Sequence, residues 1–166
     1  METGAAAEAV TIEMVRTFLD RMSAAVTEAD FDSFAEMFEL PFSVHTRLHH
    51  YQRRDRTELR VTFDVWRRTI EVNMATAVVL RPRRIEAFGS DVLMVEYDSD
   101  LLRGAQKMLP TFASLALLRR RAARWRMEQV MTGTQNAEDS LFLRVDPVNP
   151  VPQTETYILG KRPGKD

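Results

Sequence analysis

The sequence holds no cysteine and only three histidines. The first absence excludes disulfides, thiolate metal sites and cysteine nucleophiles. The second leaves little imidazole for metal binding or proton transfer. Lysine is nearly missing too, since twenty of the 23 basic residues are arginine. An arginine bias suits anion recognition through its planar fork, although a GC-rich coding sequence produces the same bias. No apolar run approaches the length of a membrane span. The first eight residues lack the basic and apolar regions of a signal peptide. A net charge of -1 offers no bulk attraction to nucleic acid or to an acidic membrane. A cytoplasmic address is the default expectation, and no cofactor or metal is expected.

What is present reads as one domain, residues 11–132, followed by an extension, residues 133–166. Apolar content of 45% and charged content of 28% are ordinary for a globular chain large enough to build a core. From Thr11, the residues Val15, Leu19, Met22 and Val26 recur with Phe18 beside them, the stripe of an amphipathic helix ending near Thr27. Asp30 caps a second, shorter helix carrying Phe31, Phe34 and Phe38, and Pro41 marks its end by pushing the preceding residue out of the α region. Phe42 to Arg47 reads as a short strand, with residues 49–53 pairing back on it. Asp55 and Glu58 resemble a capping box before a third helix. That helix carries Leu59, Phe63, Trp66 and Ile70 on one side and Arg60, Asp64, Arg67, Arg68 and Glu71 on the other.

After about residue 75 the spacing changes from helical to alternating. Strands are predicted near 77–88, broken or bulged at Pro82, and near 91–102, 111–121 and 124–131. The last alternates Trp125, Met127, Gln129 and Met131 against Arg126, Glu128 and Val130. The strand at 111–118 is apolar on both faces, with Phe112, Ala116 and Leu118 opposite Ala113, Leu115 and Leu117. Such a strand needs covering twice. The helices cover one face, and a second copy of the chain is the expected cover of the other, giving a homodimer through the outer sheet face. The extension is the competing cover. It reads as a loop to Ser140, an added strand at Leu141–Val145, an extended segment at Pro147, Pro150 and Pro152, an apolar clip at Glu155–Leu159, and disorder from Gly160.

Helix, short helix, strand pair, long helix and four antiparallel strands is the order of the NTF2-like fold, and the sequence resembles its SnoaL-like branch. Residues 18–22 and 28–38 are similar to the first two helices of that family. Residues 124–127, Arg-Trp-Arg-Met, are similar to the aromatic-basic-aliphatic opening of its final strand. The resemblance covers about residues 11–132. It implies an α+β cone in which three N-terminal helices pack on a curved antiparallel sheet around an apolar pocket. Inward parity or helical stripe places Phe18, Met22, Thr46, Phe63, Trp66, Tyr97 and Leu115 around that pocket. Trp125 joins them because the family's final-strand aromatic tends to line this space.

The ketosteroid isomerases of this fold use a tyrosine on the first helix, an aspartate base on the first strand and an aspartate donor on a later strand. The matching positions here are Met22, Thr46, and Leu115 or Ser114. None can abstract a proton or stabilise an oxyanion as that chemistry demands. His45, His49 and His50 make a poor metal site: on one strand His45 and His49 stand about 13 Å apart, and adjacent His49 and His50 point oppositely. His45 is the candidate general base, because related dehydratases and cyclases use a pocket histidine with a carboxylate. Inward Val44 and Thr46 would turn it outward, however. Tyr97 shares parity with Leu93 and Val95 and should face the pocket, while Glu96, Asp98 and Asp100 share the other face and suit pairing with arginine. Arg119, Arg120 and Arg121 lie at a hairpin tip without the flanking aromatics a nucleic-acid site needs.

Two readings follow. One is a pocket protein that binds a small apolar ligand without catalysing a reaction. The other is a SnoaL-like isomerase, cyclase, dehydratase or hydrolase that works on a hydrophobic substrate through His45, Tyr97 and a carboxylate such as Asp98. Convergence of two titratable side chains in one pocket discriminates them.

Overall fold

The computed structural model describes residues 3–135 and 138–142, with side chains from Thr11 onward. Helix α1 spans Thr3–Thr27, beginning earlier than its apolar stripe suggests. Val15, Phe18, Leu19, Met22 and Val26 are all buried, and the helix packs chiefly along strand β3, Ala77–Phe88. Ser23 reaches across to donate to the Val78 carbonyl. Asp30 accepts from the Ser33 amide at 3.0 Å and so caps helix α2, Phe31–Ala35.

Phe38 belongs to no helix, and Pro41 ends none. Helix α2 stops at Ala35, and strand β1 already runs Phe38–His45 with Pro41 inside it, after a cis Leu40–Pro41 bond. The reason lies in a distant partner. The Met127 amide donates to the Met37 carbonyl at 2.8 Å, and Phe38 registers with Met127. Ladder bonds and ring burial outweigh a weak local helix preference. Phe38 still packs on Phe34 at 4.6 Å, but from a strand.

Strand β2, His50–Arg53, returns antiparallel on β1 as expected. Helix α3, Arg56–Val72, is capped by Asp55, whose carboxylate accepts from the Glu58 amide at 2.9 Å. Glu58 returns the contact to the Arg54 amide at 2.7 Å. Leu59, Phe63 and Ile70 are buried, and Trp66 lies partly buried against the same core.

Strands β4 (Val92–Arg103), β5 (Gln106–Lys107), β6 (Phe112–Arg121) and β7 (Arg124–Thr132) complete the curved sheet with β3. Its order is β2-β1-β7-β6-β4-β3, with the short β5 paired to the end of β4. Every pairing is antiparallel except β1 with β7, which is parallel and joins the β1–β2 pair to the rest of the open, curved sheet. The architecture is therefore the α+β cone, three helices packed on a curved sheet. Strand β3 runs through Pro82 unbroken, with a register shift between Pro82 and Arg84.

A second register shift changes the reading of β7. Leu117 pairs with Gln129 but Leu118 pairs with Met127, leaving Glu128 as the extra residue of a bulge. Strict alternation fails there: Met127 and Val130 are both buried, while Met131 is 47% exposed. On β6 the inward residues are Phe112, Ser114, Ala116 and Leu118, so Ala113, Leu115 and Leu117 face outward. The β6–β7 turn is made by Ala122 and Ala123, both with positive φ as a two-residue I′ hairpin requires.

Candidate functional site

A cavity lies between the helices and the concave sheet face, with a volume of about 60 Å³. One water needs about 10–15 Å³, so the space takes several waters or a group of a few heavy atoms. Its walls are mostly apolar: Met22 and Val26 from α1, Trp66 from α3, and Phe42, Val78 and Phe112 from the sheet are among them. The residues between helix and sheet do not pack to a filled core, and a void remains.

Four of the polar groups in this wall, Tyr97, Ser99, Ser114 and Thr132, are neutral hydroxyls on the adjacent strands β4, β6 and β7, and Tyr51 of β2 and Thr62 of α3 add two more. Tyr97 registers with Ser114, and Ser114 with Thr132. The Tyr97 hydroxyl shares a hydrogen bond with Ser114, and Ser114 donates to Thr132 at 3.2 Å. Burial pushes the Tyr97 hydroxyl up to about 12, with the Ser114 bond pulling weakly the other way, so it stays protonated at neutral pH. One turn of the pleat beyond Tyr97 stands Ser99, 2% exposed, whose hydroxyl has no hydrogen-bond partner among the described residues. Buried hydroxyls are nearly always satisfied, so this one is notable.

Of the residues placed around the pocket from sequence, Met22, Trp66 and Tyr97 line this cavity. The other five do not. Thr46 follows β1 and holds the β1–β2 turn, accepting from the His49 amide at 3.0 Å. Phe63 is used up in an aromatic cluster, 5.2 Å from Phe34 and 5.4 Å from Phe31. Leu115 faces out because β6 presents its even-numbered residues to the interior. Phe18 and Trp125 line a separate surface groove between α1 and the β6–β7 turn. Trp125 keeps the inward parity of Met127, as its pairing with Arg120 shows, but it stands at the β6–β7 turn end of the strand, away from the cavity.

The acid–base candidates also part company. Val44 is buried and His45 takes the outer side of β1, where its ring stacks on His50 at 4.3 Å and meets the Gln129 amide at 3.1 Å. Burial, and then the neighbouring His50, hold the His45 imidazole below its ordinary value. The two rings are neighbours because the turn folds His50 back on His45, so the spacing expected for a single strand does not apply. Asp98 is on the outer face of β4, 3.4 Å from Arg83. Asp100 is on that face too, its side chain 1% exposed among Arg81, Lys107 and Thr111. Burial pushes the Asp100 carboxyl up, but the hydrogen bonds from Thr111, Arg81 and Lys107 outweigh it and leave it below the usual range. Neither His45 nor Asp98 lines the cavity with Tyr97. Among the described residues, no cluster of three or more His, Asp or Glu could hold a metal.

Sequence reasoning missed Tyr51, Ser99, Phe112, Thr132 and Phe142, all of which line the cavity. Ser99 was available from parity, two residues beyond Tyr97. Thr132 was hidden by the bulge. Phe142 comes from the extension: it sits in a turn, its ring 4.7 Å from Trp66 and its amide donating to Thr69 at 3.3 Å. The rest of the strand expected at Leu141–Val145, the prolines at 147, 150 and 152, and the clip at 155–159 lie outside the described residues. No described helix is long and apolar enough to cross a membrane.

Solved structures share this architecture at low identity. A function-unknown protein from Mycobacterium tuberculosis is 14% identical with a TM-score of 0.60, covering 78% of this chain and 74% of its own. An NTF2-like protein with a cystatin-like fold from Novosphingobium aromaticivorans is 14% identical with a TM-score of 0.58, covering 78% and 86%. An NTF2-like protein of unknown function from Shewanella oneidensis is 15% identical with a TM-score of 0.55, covering 71% and 94%. No curated protein matches the chain. At these identities the likeness carries the fold alone. The sequence carries the family, because residues 15–132 match the SnoaL-like domain over most of the chain. With its cone of three helices on a curved sheet, the chain belongs to the SnoaL-like domain family of the NTF2-like fold.

Proposed function

We propose that the protein binds a small, largely apolar molecule in the cavity and carries out no acid–base chemistry on it. The observation that carries this reading is the void itself, walled by apolar side chains with the unpartnered Ser99 hydroxyl beside the Tyr97–Ser114–Thr132 row. Apolar walls with a few placed polar groups are the make-up of a small-molecule site. What favours binding over catalysis is the state of the titratable groups. The two tyrosines that line the cavity, Tyr51 and Tyr97, are both pushed up by burial and stay neutral, while His45 and Asp98 occupy the opposite sheet face. Trp66 lines the cavity and reports occupancy by fluorescence. Titration with a panel of small apolar ligands should quench it. Tyr97→Phe should weaken binding by about 0.5–1.5 kcal/mol, the net worth of one hydrogen bond. Absence of quenching by the whole panel would retire the reading.

The same reading includes a homodimer through the outer sheet face and a cytoplasmic setting, which a cysteine-free chain suits. Met94, Leu115, Leu117 and Met131 form an apolar patch on that face: Met94 registers with Leu117, and Leu115 with Met131. A self-complementary patch of this kind suits a two-fold contact. Leu117→Arg tests it, since Ala116, on the inner face, cannot. Light scattering should show dimer for the unmodified chain and monomer for the variant. A stable monomer at micromolar concentration would remove the dimer.

A further inference from the structure

The most deeply buried cation of the described residues stands next to the cavity. Arg53 is 1% exposed. Its guanidinium lies 4.6 Å over the Tyr51 ring and donates from Nε to Thr62 at 2.8 Å. Tyr51 and Thr62 both line the cavity, so Arg53 sits directly behind that wall. A charge at this depth has lost its water and needs an anion. Its anion is Glu138: Nη1 meets the carboxylate, and Nη2 donates to the Glu138 backbone carbonyl at 2.8 Å. Glu138 itself is 57% exposed in its side chain, and it belongs to the extension beyond the last strand. The same short segment, residues 138–142, supplies Phe142, whose ring lines the cavity between Trp66 at 4.7 Å and Phe112 at 6.2 Å.

One segment thus offers a carboxylate to the buried arginine and an aromatic ring to the cavity wall. We propose that residues 138–142 act as a built-in stand-in ligand, and that the cavity's true ligand is a small amphipathic carboxylate with an aromatic or branched apolar body. This rests on the pocket reading above and names its ligand class. The physical reason is an exchange. Arg53 cannot stay unpaired, so Glu138 leaves only when another carboxylate takes its place, and Phe142 withdraws with it. Withdrawal of that ring adds its own volume to a cavity of about 60 Å³, which is too small for such a body. A neutral ligand of the same shape gains the space but leaves Arg53 without an anion, and so binds worse.

The test compares 3-phenylpropionate with its neutral amide, 3-phenylpropionamide, by Trp66 quenching and by calorimetry on the full chain. The carboxylate should bind the unmodified protein about tenfold or more tightly than the amide, the worth of a charged hydrogen bond. Glu138→Gln removes the internal competitor's charge but keeps the backbone carbonyl that accepts from Arg53, so the variant loses stability, and circular dichroism checks that it stays folded. It should raise carboxylate affinity about tenfold and widen the carboxylate-to-amide ratio. Arg53→Gln should abolish the ratio, and Arg53→Lys, which keeps the charge, should retain part of it. Equal binding of acid and amide, or weaker carboxylate binding in Glu138→Gln, overturns the proposal and leaves the pocket intact. Failure of both probes and of the neutral panel overturns proposal and pocket together.

Discussion

Replacing Ser99 with alanine removes one oxygen from a position where it is 2% exposed and has no hydrogen-bond partner among the described residues. A buried hydroxyl left unpaired costs about 1–3 kcal/mol. Packing hardly enters, because the β-carbon stays and the lost atom faces a void. The lower end of the range applies, since a cavity of about 60 Å³ admits water beside the hydroxyl. Ser99→Ala should therefore stabilise the empty protein by about 1 kcal/mol. For a chain of this size that is a rise of about 2–4 °C in Tm. In urea, with a slope of about 2 kcal/mol/M, the midpoint should move up by roughly 0.5 M. The same variant should bind a ligand bearing a polar group about 0.5–1.5 kcal/mol more weakly. Stability and affinity then move in opposite directions, the signature of a residue kept polar for a ligand at a cost to the fold. Thermal and urea denaturation with Trp66 titration measure both. A variant that loses stability while affinity stays the same would refute the reasoning, because the hydroxyl would then be a satisfied structural group.

The remaining prediction concerns acid stability. The Asp100 carboxyl titrates below its ordinary 3.8 in the folded chain, so the folded state favours the deprotonated form. It contributes stability above the unfolded value and loses it as pH falls through the lower folded value. Asp100→Asn should cost about 1–3 kcal/mol at neutral pH through the bonds lost to Arg81, Lys107 and Thr111. It should also flatten the loss of stability below pH 3.8 in an acid titration followed by circular dichroism. An acid limb identical to that of the unmodified chain would count against this.

Most of the helices, and the inward face of β4, were legible from sequence because the forces that set them act over a few residues. The Asp55 cap and the Leu59, Phe63 and Ile70 stripe of α3 depend on neighbours three and four positions away. Tyr97 and Ser99 face inward by the pleat alone. The rest waited on partners far along the chain. Phe38 left the helix for a strand because β7 was there to pair with it. The bulge at Glu128 shifted the parity of β7, bringing Val130 into the core and leaving Met131 exposed. His45 turned away from the cavity through the burial of Val44 beside it, which removed the acid–base constellation the sequence had suggested. Arg53 and Glu138, 85 residues apart, carry no local signal of each other. Spacing and caps dictate elements because their energies are local. Which side chains meet in the cavity, and which cation is left needing an anion, is decided only when ladder bonds and packing bring the sheet onto the helices.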